Sequence, residues 1–321
     1  MSSENILETY KIFLDSAFYL SVKGLQNFKN ENGGKLIQDA LILFQMSISK
    51  GISILNIARG IVYKNDLLSA SEMDNYTHID PTATYALIRT QLEAFCTFHN
   101  IFLSECKDQR EFLHDLWVVA GLKERQRYID KNSPINNVNK GKKELERINE
   151  LIIRINNNVN YLKLSEKGKN FIKDKINSRQ FQLVFEDDGR LSKKSWREMF
   201  LNSDVSDIFK NIYSNMSLYS HPSNVSVFQF GQMFEKGDNK EQILHSLKLS
   251  KSIIAFMIAD ICKYIPQVHD EFQNLPELNQ LLIDTDNSAY RNSSYITSLN
   301  HKEQLNMVED DLKEQLESYM S

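Results

Sequence analysis

Turn-forming residues are scarce in this chain: 11 glycines and 5 prolines punctuate 321 residues. So few breaks leave long uninterrupted segments, and apolar residues recurring three and four apart make those segments helices. Asn5–Phe28 lines up Ile6, Tyr10, Phe13, Leu14, Ala17 and Leu20 on one face. After the loop Asn30–Gly34, Leu36–Tyr63 is apolar on more than one side, as expected of a helix deep in a bundle. Asp80-Pro81 opens a third helix, with Asp80 as N-cap and Pro81 at the first helical position, and that helix runs to about Glu105. A fourth runs from Asp108 to about Ile129.

The polar stretch Asp130–Gly141 separates an N-terminal helical half, 1–129, from a C-terminal helical half, 142–321. The two halves are also compatible with a single domain. In the second half, Lys142–Tyr161, Lys167–Ile176, Ser192–Phe200, Asp204–Ser220, Asn239–Ile265 and Leu299–Tyr319 read as helices. Phe181–Phe185 alternates apolar and polar residues, and Asp188-Gly189 is a turn signal, so a short β-hairpin is expected near 181–191. The expected fold class is all-α, a multi-helix bundle with one small β element.

A formal net charge of −4 means that any nucleic-acid footprint must be a local patch. Cys96, Cys106 and Cys262 are odd in number and widely spaced, which suits reduced thiols. Met1–Asn5 has no basic start or apolar core of a signal peptide. Lys50, Arg59 and Asp260 interrupt the most apolar segments, short of the roughly 20 apolar residues of a membrane span. These features point to a soluble cytoplasmic protein with no membrane partner.

The densest chemistry lies in Tyr213–Ser223. With Asp204–His221 drawn as a helix, Val205, Ile208, Phe209, Ile212, Met216 and Tyr219 face the core. Tyr213 and Ser217 border that face, and His221 sits at the C-terminal end, pushed out of helical geometry by Pro222. A helix C-terminus favours a protonated imidazole by roughly 0.3–1 kcal/mol, which suits a general acid or a phosphate contact. The blander alternative is a His-Pro helix stop with hydroxyl groups capping the last carbonyls.

On the apolar helix Tyr85–Leu103, Arg89 and Glu93 stand four apart in a narrow polar stripe. An arginine so positioned can bind an anion, although a structural salt bridge gives the same pattern. The segment Lys163–Arg197 is locally basic; Lys169, Lys173, Arg179, Lys193, Lys194 and Arg197, with interleaved Phe171, Phe181 and Trp196, are candidate nucleic-acid contacts against the alternative of a solvated polar face. No His-Glu-x-x-His, paired Cys-x-x-Cys, phosphate loop or dinucleotide fingerprint is present, so neither a metal nor a cofactor is expected.

Arg89-x-x-x-Glu93, together with Trp196-Arg-Glu-Met199 and Tyr213-x-x-x-Ser217-x-Tyr219-x-His221-Pro222, resembles a bacterial family of helical proteins of unknown function. The resemblance covers roughly Tyr85–Ser223, and such proteins look related to the HEPN class of helical bundles. Many HEPN proteins are metal-independent ribonucleases of defence and toxin–antitoxin systems, and others are inactive binding modules. Active members carry Arg-x(4–6)-His on one helix; here Arg110 and His114 are one residue too close, so a site would have to be assembled from separate helices.

Two functions remain open at this stage. One is a defence or toxin-type effector acting on RNA, with His221 as acid/base, Arg89 stabilising phosphorane charge, and Glu93, Tyr213 and Ser217 in support. The other is a non-catalytic module that binds nucleic acid or a protein partner. Leu299–Tyr319 is the candidate docking or homodimerisation helix.

Overall fold

The computed structural model describes residues 3–30, 34–63, 76–104, 106–130, 132–186, 188–206, 209, 211–236, 239–291 and 295. Leu299–Tyr319 lies outside the described residues. The chain is all-α, as expected, and carries the expected hairpin together with a second small antiparallel strand pair that was not expected. Its helices are α1 (Ser3–Asn30), α2 (Lys35–Arg59), α3 (Pro81–Phe102), α4 (Lys107–Gln126), α5 (Ile135–Asn157), α6 (Val159–Leu162), α7 (Glu166–Asn177), α8 (Trp196–Leu201), α9 (Ile212–Ser220), α10 (Asn224–Lys236), α11 (Asn239–Tyr264), α12 (Pro266–Gln273) and α13 (Glu277–Tyr290). Strands β1 (Ile61–Tyr63) and β2 (Tyr76–His78) pair antiparallel, as do β3 (Leu183–Phe185) and β4 (Leu191–Lys193).

Two compact units are formed: residues 1–98 with 200–321, and residues 99–199. In the first, α1, α2 and α11 pack against one another, and α12 and α13 cover α1 and α11. Tyr10, Phe13, Leu20, Leu41, Phe44, Ile88, Phe95 and Phe256 are fully buried there. Gly51 lets the helices close up, since a Cβ at that position would lie 2.6 Å from Leu14 Cδ2 and 3.1 Å from Ile254 Cδ1. A buried polar chain crosses the same core. The Tyr10 hydroxyl lies 3.1 Å from the Gly51 carbonyl and 2.7 Å from Ser250 Oγ. Ser250 donates to Gln91 Oε1, and Gln91 donates to the Ser47 carbonyl. The Tyr10 and Ser250 hydroxyls and the Gln91 amide thus find partners in one another and in the backbone, as burial requires.

Helix α2 is long and apolar enough, by length and composition alone, to cross a membrane, but half of that apolar stretch is buried inside the bundle. It ends at Arg59 rather than at Tyr63, because Gly60 takes φ 87 and Ile61–Tyr63 leave to pair with β2. The third helix begins as expected, with Asp80 Oδ1 accepting from the amides of Thr82 and Ala83.

In the second unit α4 packs on α5, α6 and α7. Arg125 grips Glu144 through Nε and Nη2, tying α4 to α5. The polar stretch 130–141 is only partly loop, since α5 begins at Ile135, directly after Pro134. The hairpin pairs Leu183 with Lys193 and Phe185 with Leu191, and Asn100 Nδ2 donates to the Leu183 carbonyl at 2.9 Å.

The expected helix Asp204–Ser220 is shortened to Ile212–Ser220. Its first residues spend their backbone hydrogen bonds on the end of α13 instead. Asp204 adopts φ 57, Val205 bridges to Arg291, and the Ser206 amide donates to the Tyr290 carbonyl at 2.7 Å. Arg291 is the anchor. Its side chain and that of Asp260 are fully buried and lie 2.8 Å apart. Arg291 also donates to the Ser203 carbonyl at 3.2 Å and sits against the rings of Phe95, Phe256 and Tyr295.

Candidate functional site

Helix α3 presents Tyr85, Arg89 and Glu93 at four-residue spacing, hence along one face. Helix α9 lies against that face. Met216 is fully buried, and Tyr219 stacks on Tyr85 with ring centroids 4.9 Å apart. Tyr85 also donates to Gln242 Oε1, and burial pushes its phenol up to about 12. This clamp sets the register in which α9 offers Tyr213 and His221 to Arg89.

The result is a closed cluster of four side chains. Arg89 Nε donates to Glu93 Oε1 at 3.2 Å, and Nη2 donates to the Tyr213 hydroxyl at 3.2 Å. The Tyr213 hydroxyl in turn donates to Glu93 Oε1 at 3.1 Å. Arg89 Nη1 lies 3.1 Å from His221 Nε2. Burial, together with the Glu93 charge, raises the Tyr213 pKa despite the nearby guanidinium, so the phenol stays protonated and serves as donor and acceptor at once. Burial works to lower the Arg89 pKa, but the Tyr213 hydrogen bond and the Glu93 charge outweigh it, and the net shift is upward.

A guanidinium can only donate, so as a hydrogen bond this contact uses Nε2 of His221 as the acceptor. Pro222 does what pre-proline sterics demand, leaving His221 extended at φ −119 and ψ 147. His221 is exposed, so the cluster opens to solvent at this residue.

Sequence reasoning missed what holds the histidine. Ser226, itself buried, donates to the His221 carbonyl at 2.6 Å, and the Ser223 amide donates to the same oxygen at 2.7 Å. Ser223 Oγ accepts from the Ser226 amide, capping α10. The signal was legible as Ser223-x-x-Ser226 directly after the His-Pro stop. Helix α10 also exposes Val225, Val227 and Phe228, the last at 63%.

Ser217 is half-buried on α9 and, among the described residues, makes no hydrogen bond to the cluster. Tyr213 bonds Arg89 and Glu93 rather than orienting His221 directly. The Arg110/His114 pair is structural: Arg110 donates to the Ser104 carbonyl, and His114 is buried next to Asp115, which pairs with Arg154 at 3.0 Å.

Of the basic candidates, Lys169 pairs with Glu166 at 3.2 Å, Arg179 with Glu124 at 2.8 Å and Lys194 with Glu186 at 2.6 Å. Lys173 and Lys193 are exposed, as is Arg197 on α8. Trp196 packs edge-on against Phe181 at 5.9 Å instead of standing free to stack. Among the described residues no group of three His, Cys, Asp or Glu side chains is placed to hold a metal ion.

Searches of curated proteins and of solved structures gave no significant match. A family model described as Family of unknown function (DUF5677) matches residues 71–240, a span that includes Arg89, Glu93, Tyr213, Ser217 and His221. The match covers more than half of the chain, which therefore belongs to this family of unknown function.

Proposed function

We propose that this protein is a HEPN-like defence or toxin-type effector with metal-independent, ribonuclease-like activity at the Arg89–His221 cluster. One observation carries the reading: Arg89 Nη1 and His221 Nε2 meet at 3.1 Å although 132 residues separate them in sequence. The ribonucleases of that class take their arginine and histidine from one helix, whereas this pair comes from α3 and from the end of α9.

In the chemistry this pair would support, a backbone phosphate draws the Arg89 guanidinium off the imidazole and pairs with it. Nε2 is then free to take the proton of the neighbouring 2′-hydroxyl. The 2′-oxygen forms a bond to phosphorus as the bond to the 5′-oxygen breaks. The products are a 2′,3′-cyclic phosphate and a 5′-hydroxyl, whose proton comes from solvent. Arg89 offsets the charge that develops on the phosphorane oxygens. Glu93 and Tyr213 hold Arg89 from the side away from His221, which limits how far it swings. Exposed Phe228, within two turns of the histidine, offers a ring on which a base can stack.

A second reading, a non-catalytic nucleic-acid module built on Lys169, Lys173, Arg179, Lys193, Lys194 and Arg197, draws support only from the exposed Lys173, Lys193 and Arg197. The test is induced expression in bacteria of the wild type and His221→Ala at matched soluble levels, with total RNA run alongside. Growth arrest with RNA breakage that disappears in the variant supports the proposal. Intact RNA at full expression of the wild type, or breakage unchanged in the variant, counts against it.

A further inference from the structure

The second unit contains a cavity of about 740 Å³ that plays no part in the site above. It lies between the start of α7, with the turn before it, and the tip of the β3–β4 hairpin. Its size falls in the roughly 300–1,000 Å³ range of small-molecule sites. Its lining combines charged and apolar side chains, interleaved along the chain.

Lys163, Lys167 and Arg190 contribute three cations. Lys163 and Lys167 have no ion-pair partner among the described residues, and Arg190 uses Nε on Asp188 at 2.6 Å, leaving both terminal nitrogens of the guanidinium for another anion. Three positive groups thus face one carboxylate. Ser165 caps the Gly168 amide, and the first turn of α7 leaves the amides of Glu166 and Lys167 without intrahelical partners.

The apolar part of the lining is Leu164, Phe171 and Leu191. Gly168, also in the lining, packs closely on Leu164, where an added Cβ would lie 3.2 Å from Leu164 Cβ. Lys175 Nζ stands 5.0 Å from the centre of the Phe171 ring.

From these features we infer that the cavity is a second ligand site, for a phosphate ester carrying a planar ring, of mononucleotide size. The phosphate meets Lys163, Lys167 and Arg190, and the ring lies against Leu164, Phe171 and Leu191. The same chemistry is offered by a free mononucleotide and by the 5′-phosphorylated end of an RNA.

Isothermal titration calorimetry on the full chain distinguishes these. The probes are AMP, adenosine, inorganic phosphate, and a short RNA with and without its 5′-phosphate. AMP is expected to bind saturably at one site, with adenosine and phosphate each weaker by about tenfold or more, since each keeps half of the contacts. The double variant Lys163→Gln/Lys167→Gln should weaken AMP by about tenfold or more, as loss of charge-assisted hydrogen bonds implies. Phe171→Ala, which leaves every cation in place, should weaken it as well. Stronger binding of the phosphorylated RNA than of AMP identifies the RNA end as the ligand. Absence of saturable binding to AMP and to the phosphorylated RNA, with circular dichroism reporting folded protein, overturns the inference. So does an AMP affinity unchanged in the double variant. His221→Ala is expected to leave AMP binding intact, so failure of the ribonuclease proposal and failure of this one are told apart.

Discussion

Replacing Arg291 by methionine isolates the contribution of the buried ion pair. Methionine keeps the length and most of the apolar volume, so the cavity left is small. What disappears is the 2.8 Å bond to Asp260, the 3.2 Å bond to the Ser203 carbonyl and the cation resting on Phe95, Phe256 and Tyr295. Asp260 then keeps a carboxylate in a fully buried position without its counter-charge. Breaking such a pair from one side costs about 3–5 kcal/mol. Substituting both partners, Asp260→Leu/Arg291→Met, removes the stranded charge. The double variant should therefore cost only about 1–3 kcal/mol, for the Ser203 carbonyl left unpaired. The assay is urea unfolding followed by far-ultraviolet circular dichroism, comparing midpoints at unchanged slope. A single variant that loses less than about 1 kcal/mol would refute the reasoning, because that is the range of an ordinary surface change. A double variant as unstable as the two single ones added together would refute it too, since the pair would then be uncoupled. Arg291 also fixes the segment that enters α9, so Arg291→Met should loosen the hold of α9 on Arg89.

Other substitutions probe separate links in the structure. Tyr213→Phe removes the hydroxyl between Arg89 and Glu93; RNA cleavage is expected to fall about tenfold or more from misplacement of Arg89. Its unfolding free energy should change by less than about 1 kcal/mol, because the cluster is only half-buried. Gly51→Ala sets a methyl group 2.6 Å from Leu14 Cδ2 and should cost about 1–3 kcal/mol in urea unfolding. Asp286 is buried beside Lys251, and burial raises its pKa above 3.8 despite that lysine. The folded state therefore binds this proton more tightly than the unfolded state does, and the associated stability is present below pH 3.8 and lost as pH rises through the folded value. Unfolding of wild type and Asp286→Asn from pH 3 upward should show the advantage of the wild type shrinking as pH rises, whereas a constant difference would contradict the assigned direction.

The long helices were legible because their signals are local. Asp80-Pro81 starts α3, and the spacing of Tyr10, Phe13, Leu14 and Ala17 gives the buried face of α1. Arg89 with Glu93 and Tyr213 with His221 could each be picked out on a single helix. That the two sets meet could not, because it depends on Tyr85 stacking on Tyr219 and on the register this sets between α3 and α9. The start of α9 was misread for a related reason. Val205 and Phe209 have helical spacing and are indeed buried, but their segment bonds to α13, a partner more than 80 residues away in sequence. Arg291 gave no local signal at all, since nothing in its neighbourhood shows that a charge there will be enclosed by three rings.

The role assigned to the Arg89–His221 pair is tested most directly with purified protein and a 5′-labelled RNA in EDTA, beside the same RNA with 2′-O-methyl groups. The expected result is cleavage of the first RNA alone, leaving 2′,3′-cyclic phosphate ends. His221→Ala and Arg89→Gln should each reduce the rate by about 100-fold or more, the scale of losing an acid–base group or a charge-stabilising donor. An intact first RNA, cleavage of the 2′-O-methyl RNA, or wild-type rates in His221→Ala would contradict it.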